Sequence, residues 1–271
     1  MRRFLVTLVV AMAMAWAATA AAQGVERLYV LDCGQNSGKD QSRWSPGVNV
    51  GKPIDFSDNC YLIRHAKGLL LWDTGVPDSV AAMPDGMVVA GGAMTYRRPR
   101  TLAAQLAEIG VKPADVTYVA VSHTHGDHVG NVGLFPTSTV LIQEVEYDWA
   151  MAGPSKPAFA AGQRIEKLGG DLDVFGDGSV TIITTPGHTP GHQSLFVRLP
   201  KTGPLLLSGD AVHFLDNWNS RRVPSMNVSP DQTRLSLGRM AAILEQQKAQ
   251  LWINHDKAQS AGLRYSPAYY E

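Results

Sequence analysis

Apolar positions along this chain gather in short runs, many of them β-branched, and each run stops on a glycine or a polar residue. Such runs of four to eight residues bounded by turn formers predict buried strands. The pattern gives strands at 27–31, 60–65, 68–72, 116–121 and 139–142 in the first half, with a tight turn at Ala66-Lys67. In the second half it gives 172–174, 180–184, 194–197, 205–207 and 251–253, with Asp177-Gly178 as a hairpin turn. A 3.6-residue period appears twice. Leu102, Leu106 and Ile109 make one helical face ending at Gly110, and Leu235, Met240, Ile243 and Leu244 make another. The second helix begins with Ser229 as N-cap, Pro230 in the first turn and Gln232 placed for a capping box. Residues 144–150 read as a short helix.

Between these elements, residues 35–57 are rich in Gly, Ser and Asp without periodicity and are expected to form a long excursion. Residues 80–96, rich in Ala, Met and Gly, suit either an adaptable apolar flap or a loose connection. Arg97, Arg98 and Arg100 beside a helix start are expected to form a solvated face, and His65 at its turn is expected to be exposed. Both halves run strands, helix, strand. They are expected to pack sheet on sheet with amphipathic helices on the outer faces, as one domain over 23–271.

Residues 1–22 stand apart. Arg2 and Arg3 precede an apolar segment from Phe4 to Ala18, and Ala20-Ala21-Ala22 offers small residues for cleavage before Gln23. This is the composition of a secretory signal peptide, so the mature protein is expected in the periplasm or outside the cell, with no stable membrane insertion. In such an oxidising compartment the only two cysteines, Cys33 and Cys60, either pair or remain small buried thiols. The formal net charge of the 271 residues is zero, which leaves no basic field for nucleic acid and favours a neutral or apolar small molecule as partner.

The chemistry lies where strands stop. Ser122-His123-Thr124-His125-Gly126-Asp127-His128 follows the 116–121 run, and three imidazoles with a carboxylate at such close spacing would crowd one another in a core. Neutral imidazoles and carboxylates do suit Zn²⁺ and related divalent ions. His188 lies in a loop with two prolines and two glycines (185–192), Asp210 follows Ser208-Gly209, and His255 follows the last strand. His123 and His125, two apart on extended chain, point the same way. With His188 they would make one metal site, Asp127, His128 and His255 a second, and Asp210 could bridge the two ions. His192 is expected to bond within its loop or to support the metal shell.

These residues resemble the metallo-β-lactamase superfamily, whose signature is His-x-His-x-Asp-His with later His, Asp and His ligands. The resemblance implies an α/β fold, a four-layer αβ/βα sandwich of two packed mixed β-sheets flanked by helices. Asp73-Thr74-Gly75 is similar to the family's early aspartate, which orients a ligand histidine. A bridging aspartate such as Asp210 is typical of the superfamily's lactonases, thioesterases and phosphodiesterases. Residues 27–31, the loop at 185–194, the Asn254-His255-Asp256 segment with Gln259, and the 266–270 tail resemble the N-acyl-homoserine lactonases.

The resemblance therefore implies a hydrolase with two Zn²⁺ per subunit (Mn, Fe or Co being accepted by the same ligands) that opens a lactone ring through attack of a hydroxide bridging the ions. Asp127 or Asp210 would relay the proton. The implied partner is a lactone or ester with an apolar acyl chain, held in a channel lined by residues 81–94 with Phe214 and Trp218. A homodimer is also implied. The alternatives are a broad periplasmic esterase, thioesterase or β-lactamase-like hydrolase, and a non-catalytic metal-binding protein of the same fold. One departure stands out: the lactonases commonly carry Tyr three residues after the bridging aspartate, where this chain has His213. His213 either donates the hydrogen bond to the substrate carbonyl in its place or is a supporting core residue.

Overall fold

The computed structural model describes residues 24–154 and 156–271. The leader reading for 1–22 lies outside the described residues. Strands β1 (Val25–Gly38), β2 (Ile54–His65), β3 (Gly68–Trp72), β4 (Met87–Val89), β5 (Met94–Tyr96), β6 (Tyr118–Ala120), β7 (Thr139–Gln143) and β8 (Ile165–Leu168) form one mixed sheet in the order β4-β5-β1-β2-β3-β6-β7-β8. Strands β9 (Leu172–Asp173), β10 (Val180–Thr184), β11 (Gln193–Leu199), β12 (Gly203–Leu207) and β13 (Gln250–Trp252) form the second, ordered β13-β12-β11-β10-β9.

Period-2 alternation makes the first sheet two-faced. Leu28, Val30, Tyr61, Ile63, Leu70 and Trp72 point toward Val180, Ile182, Leu195, Val197 and Leu205 of the second sheet. Leu31, Leu62, Leu71, Val119 and Val140 point the other way, onto Leu102 and Leu106 of α1 (Leu102–Glu108). Three short or edge helices follow: α2 (Gly126–Val129), α3 (Glu144–Ala152) and α4 (Leu215–Ser220). The outer face of the second sheet, with Phe196, Leu206 and Ile253, packs on Leu237 and Met240 of α5 (Pro230–Gln247). The last helix is α6 (Lys257–Ser260). Helix, sheet, sheet, helix is the expected four-layer order, and no helix among the described residues is long and apolar enough to cross a membrane.

Several local expectations are corrected. The 35–57 excursion is shorter: β1 runs on to Gly38 and β2 begins at Ile54, pairing Asn36 with Phe56 and Gly34 with Asp58 across a bulge near Asp32. Gly34 has to be glycine here, because a Cβ would lie 2.7 Å from Val76 and 2.9 Å from Asp58 Oδ2. Residues 80–96 are not a free flap; β4 and β5 close the sheet's edge, with Thr95 opposite Ser37. On α5, Leu235 is 76% exposed, and Leu237 takes the inward place beside Met240 because it shares the face that meets the sheet. His65 is buried, stacked on Phe175 and bonded to Asp177 at 2.8 Å. Arg98 is buried as well, paired with Asp78 at 2.7 Å. Strand β8 and helix α4 have no counterpart in the expected pattern. Cys33 and Cys60, on neighbouring strands with Cα atoms 5.7 Å apart, are joined as a disulfide.

Parallel pairing of β3 with β6 and of β12 with β13 sends their C-terminal ends to the same rim. Asp73, Ser122–His123, Asp210 and His255 each follow one of these strands, and His188 follows β10.

Candidate metal centre

Backbone geometry aims the first ligands. His125 is extended (φ −68°, ψ 153°) and caps α2, whose single turn carries Asp127 and His128 inward. His123 Nε2 lies 2.9 Å from His125 Nδ1, and His188 Nε2 lies 3.1 Å from the same atom. Asp127, His128 and His255 bring their ligand atoms within 4.8 Å of one another. Asp210 stands between the groups. Its Oδ2 is 3.4 Å from His188 and 3.7 Å from His123, while its Oδ1 is 3.2 Å from His128 and 3.1 Å from His255. The seven residues anticipated as ligands are therefore all drawn to one place.

Outer contacts fix which nitrogen faces inward, as second-layer partners of metal-binding histidines do. His128 Nδ1 donates to Asp73 Oδ2 at 2.9 Å, and Asp73 Oδ1 accepts the Ser122 N–H at 2.6 Å. His255 Nδ1 donates to the Ser57 carbonyl at 2.7 Å. His188 Nδ1 donates to Asn227 Oδ1 at 3.0 Å, and that amide is oriented by donating in turn to Thr233 Oγ1. Buried Glu146 on α3 ties two ligand loops together. Its carboxylate accepts from Thr124 N and Oγ1 at 2.9 and 2.8 Å and from Gly191 N at 2.9 Å. His192 is no ligand: its Nε2 accepts the Asp210 N–H at 2.9 Å, and its Nδ1 faces Thr185. It thereby seats Asp210, and Gly209 (φ +53°) leaves it room, since a Cβ there would stand 2.7 Å from His192 Nε2.

The electrostatics divide the site in two. Burial holds His123, His125 and His188 below the ordinary imidazole pKa, so their lone pairs are free. Burial opposes charge on His255 and His128 too, but there the carboxylates win. Asp210 lifts His255 to about 9, and Asp210 with Asp73 lifts His128 well above its ordinary value. Asp210 itself, despite burial, is held well below the carboxylate range by His255 and His128. His128 Nε2 and Asp210 Oδ1 are both buried and lack a hydrogen-bond partner, although they lie 3.2 Å apart. A divalent cation satisfies such a pair, and the N/O donor set suits zinc-type ions.

In metal-free protein the second group carries protons that a metal must displace, whereas the first group is already neutral. Affinity for the second ion is expected to rise about tenfold per pH unit for each displaced proton up to about pH 9. First-group affinity should change little above pH 7. Titration calorimetry in buffers of different ionisation enthalpy would measure the protons released; none released at pH 7 refutes the assignment.

Above these groups opens a cavity of about 490 Å³. Its floor includes His125, Asp127, Asp210, His213 and His255, and its walls include Trp44, Phe56, Met94, Tyr96, Trp149 and Met226. His213 is buried, with Nε2 3.2 Å from Asp210 Oδ2, on the side of the first group. The expected channel lining is corrected in part. Ala90 and Met94 reach the cavity, but Phe214 stacks behind Phe56 at 5.6 Å and Trp218 packs in the cluster under α5. Sequence reasoning missed Trp44, Phe56, Tyr96, Trp149 and Met226, and also Asn36, whose amide donates to Asp127 Oδ2 at 3.1 Å.

The geometry agrees with what known proteins resemble this one. The profile described as metallo-beta-lactamase superfamily matches residues 54–246. The N-acyl homoserine lactonase AttM of Azorhizobium caulinodans is 35% identical over 268 residues, spanning 90% of this chain and 98% of the relative. The N-acyl homoserine lactonase AiiA of Bacillus thuringiensis subsp. kurstaki is 29% identical over 251 residues, covering 90% and 99%. A solved N-acyl homoserine lactone hydrolase, with N-hexanoyl-L-homoserine bound at its catalytic metal centre, superposes with a TM-score of 0.82. That structure is 28% identical, with 91% of this chain and 99% of the other covered. Fold, ligand constellation and sequence thus coincide over nearly the whole described chain: it belongs to the metallo-β-lactamase superfamily.

Proposed function

We propose that this protein is a dinuclear-metal hydrolase that opens the ring of N-acyl-homoserine lactones. The observation that carries the reading is Asp210, whose two oxygens face two separate groups of imidazoles beneath an apolar-walled cavity. The lactonases among the chain's relatives support the substrate class. His123, His125 and His188 would hold one ion, Asp127, His128 and His255 the other, and Asp210 both; zinc is the proposed metal. When bound, such ions supply a water acidified to near-neutral pKa and polarise the carbonyl to be attacked.

The side chains supply the rest. His213, buried beside Asp210 Oδ2, offers an N–H to the carbonyl oxygen as negative charge develops on it. Asp210, ringed by imidazoles, is held ionised, so the carboxylate suited to carry a proton is Asp127 at the cavity floor. Hydrolysis consumes one water: its hydroxyl joins the acyl carbon, the ring C–O bond breaks, and the remaining proton reaches the leaving oxygen through Asp127. Trp44, Phe56 and Met226 offer apolar surface to the acyl chain. Export through the leader at 1–22 is also proposed, and the Cys33–Cys60 disulfide supports an oxidising compartment.

The test is ring opening of N-hexanoyl-L-homoserine lactone by the mature protein loaded with two equivalents of Zn²⁺, followed by proton release. Turnover lost on chelation and restored by Zn²⁺ is the expected result. No ring opening with both ions bound would overturn the lactonase reading in favour of open-chain esters or thioesters.

A further inference from the structure

Tyr96 brings a phenol to the metal centre from a segment with no counterpart in the site's sequence signature. It ends β5, is 8% exposed, and packs against Val76 and Val80. Its hydroxyl donates to Asp127 Oδ1 at 3.0 Å while Asn36 donates to Oδ2 of the same carboxylate at 3.1 Å. Its ring lies beside Gly126, where a Cβ would stand in ordinary contact, 3.7 Å from Tyr96 Cε2. Tyr96 lines the cavity together with Asp127, Asp210 and His213, and its hydroxyl is at the Asp127 carboxylate. His213 lies on the Asp210 Oδ2 side with the first group, and Tyr96 lies on the aspartate of the second.

We propose that Tyr96 is a catalytic residue that donates a hydrogen bond to the leaving oxygen as the acyl C–O bond breaks, opposite the donor His213 gives to the carbonyl. This rests on the hydrolase reading above. While Asp127 is ionised the phenol hydrogen is turned to Oδ1. Once Asp127 has taken the proton of the attacking water, Oδ1 becomes a donor and the phenol oxygen its acceptor, which frees the phenol hydrogen for the leaving oxygen. That oxygen then takes the phenol's proton as Asp127 returns its own to Tyr96. The tyrosine ends as it began, the carboxylate is restored, and one water has been added across the C–O bond.

The distinguishing test compares leaving groups. A lactone expels a poor, alkoxide-like oxygen that needs a donor, whereas a 4-nitrophenyl ester expels one that does not. Tyr96→Phe keeps the ring in its pocket and is expected to lower kcat on N-hexanoyl-L-homoserine lactone by about 100- to 1000-fold, in the range of losing one transition-state donor. Its kcat on 4-nitrophenyl hexanoate should fall less than about threefold, with two metal ions per chain still found by elemental analysis. Asn36→Ala, which loosens Asp127 without removing a donor from the cavity, should slow both substrates alike. Equal losses on the two substrates for Tyr96→Phe, or no loss on either, or a lost metal ion, would overturn the proposal. If wild-type protein leaves lactones intact, the lactonase reading fails separately, and ethyl hexanoate replaces the lactone with the same expected and overturning results.

Discussion

Asp210→Asn is expected to strip the second metal ion and to lower kcat/KM on the lactone by at least about 10³-fold, about 4 kcal/mol of transition-state stabilisation. The reason is geometric. The aspartate faces two imidazoles with each oxygen: His188 and His123 through Oδ2, His128 and His255 through Oδ1. An amide keeps the shape but presents an NH₂ on one side, toward nitrogens that need their lone pairs for metal. It also removes one of the two carboxylate charges at the centre, leaving Asp127 as the only anion among the seven residues to offset two divalent ions. Elemental analysis should fall from two ions per chain toward one. Two retained ions with activity within about tenfold of wild type would show that Asp210 does not join the sites.

Nearly all of that constellation was legible in the sequence because each ligand follows a strand whose apolar run announces where it stops. His123, Asp210 and His255 each sit three residues past β6, β12 and β13, and His188 four past β10, so placing the strands placed these candidate ligands. What surrounds them was less legible, for a physical reason. Asn36 and Asp58 lie on strands whose polar, glycine-rich composition hides them, because their side chains bond to partners distant in sequence, Asp127 and Asn254. Tyr96 and Trp44 read as members of loops until β5 pairs with β1 and Trp44 packs on Phe56. Burial of a charged or titratable side chain is likewise set by partners far along the chain. His65 finds Asp177, Glu146 finds Thr124 and Gly191, and no local period encodes those meetings. Family resemblance named the seven candidate ligands and Asp73, but not these other supporting residues.

Arg98→Met is the change expected to cost the most stability outside the metal centre, about 3 kcal/mol of unfolding free energy. The residue reads as one of a basic trio on a wet surface. In the fold its side chain is fully buried, with Nε 2.7 Å from Asp78 Oδ1 and Nη1 donating to the carbonyls of Cys33 at 2.6 Å and Val76 at 2.5 Å. Asp78 in turn accepts the N–H groups of Leu102 and Ala103 at 2.7 and 3.3 Å, so one guanidinium joins β1, the segment after β3 and the first turn of α1. Methionine fills much of the volume but takes one of two donors from each carbonyl, leaving Cys33 only the Val76 N–H at 3.0 Å and Val76 only the Asn131 amide at 2.8 Å, and it leaves Asp78 without its cation. Asp78 is 19% exposed, so water offsets part of the loss, which sets the figure at the low end for a broken buried pair. Lysine restores charge but not the planar fork that reaches both carbonyls, and Arg98→Lys should recover only part of the stability. Guanidinium unfolding of the metal-loaded variants measures this directly. A shift below about 1 kcal/mol for Arg98→Met would mean that the Val76 N–H and the Asn131 amide suffice for the two carbonyls and that this arginine does not hold the three segments together.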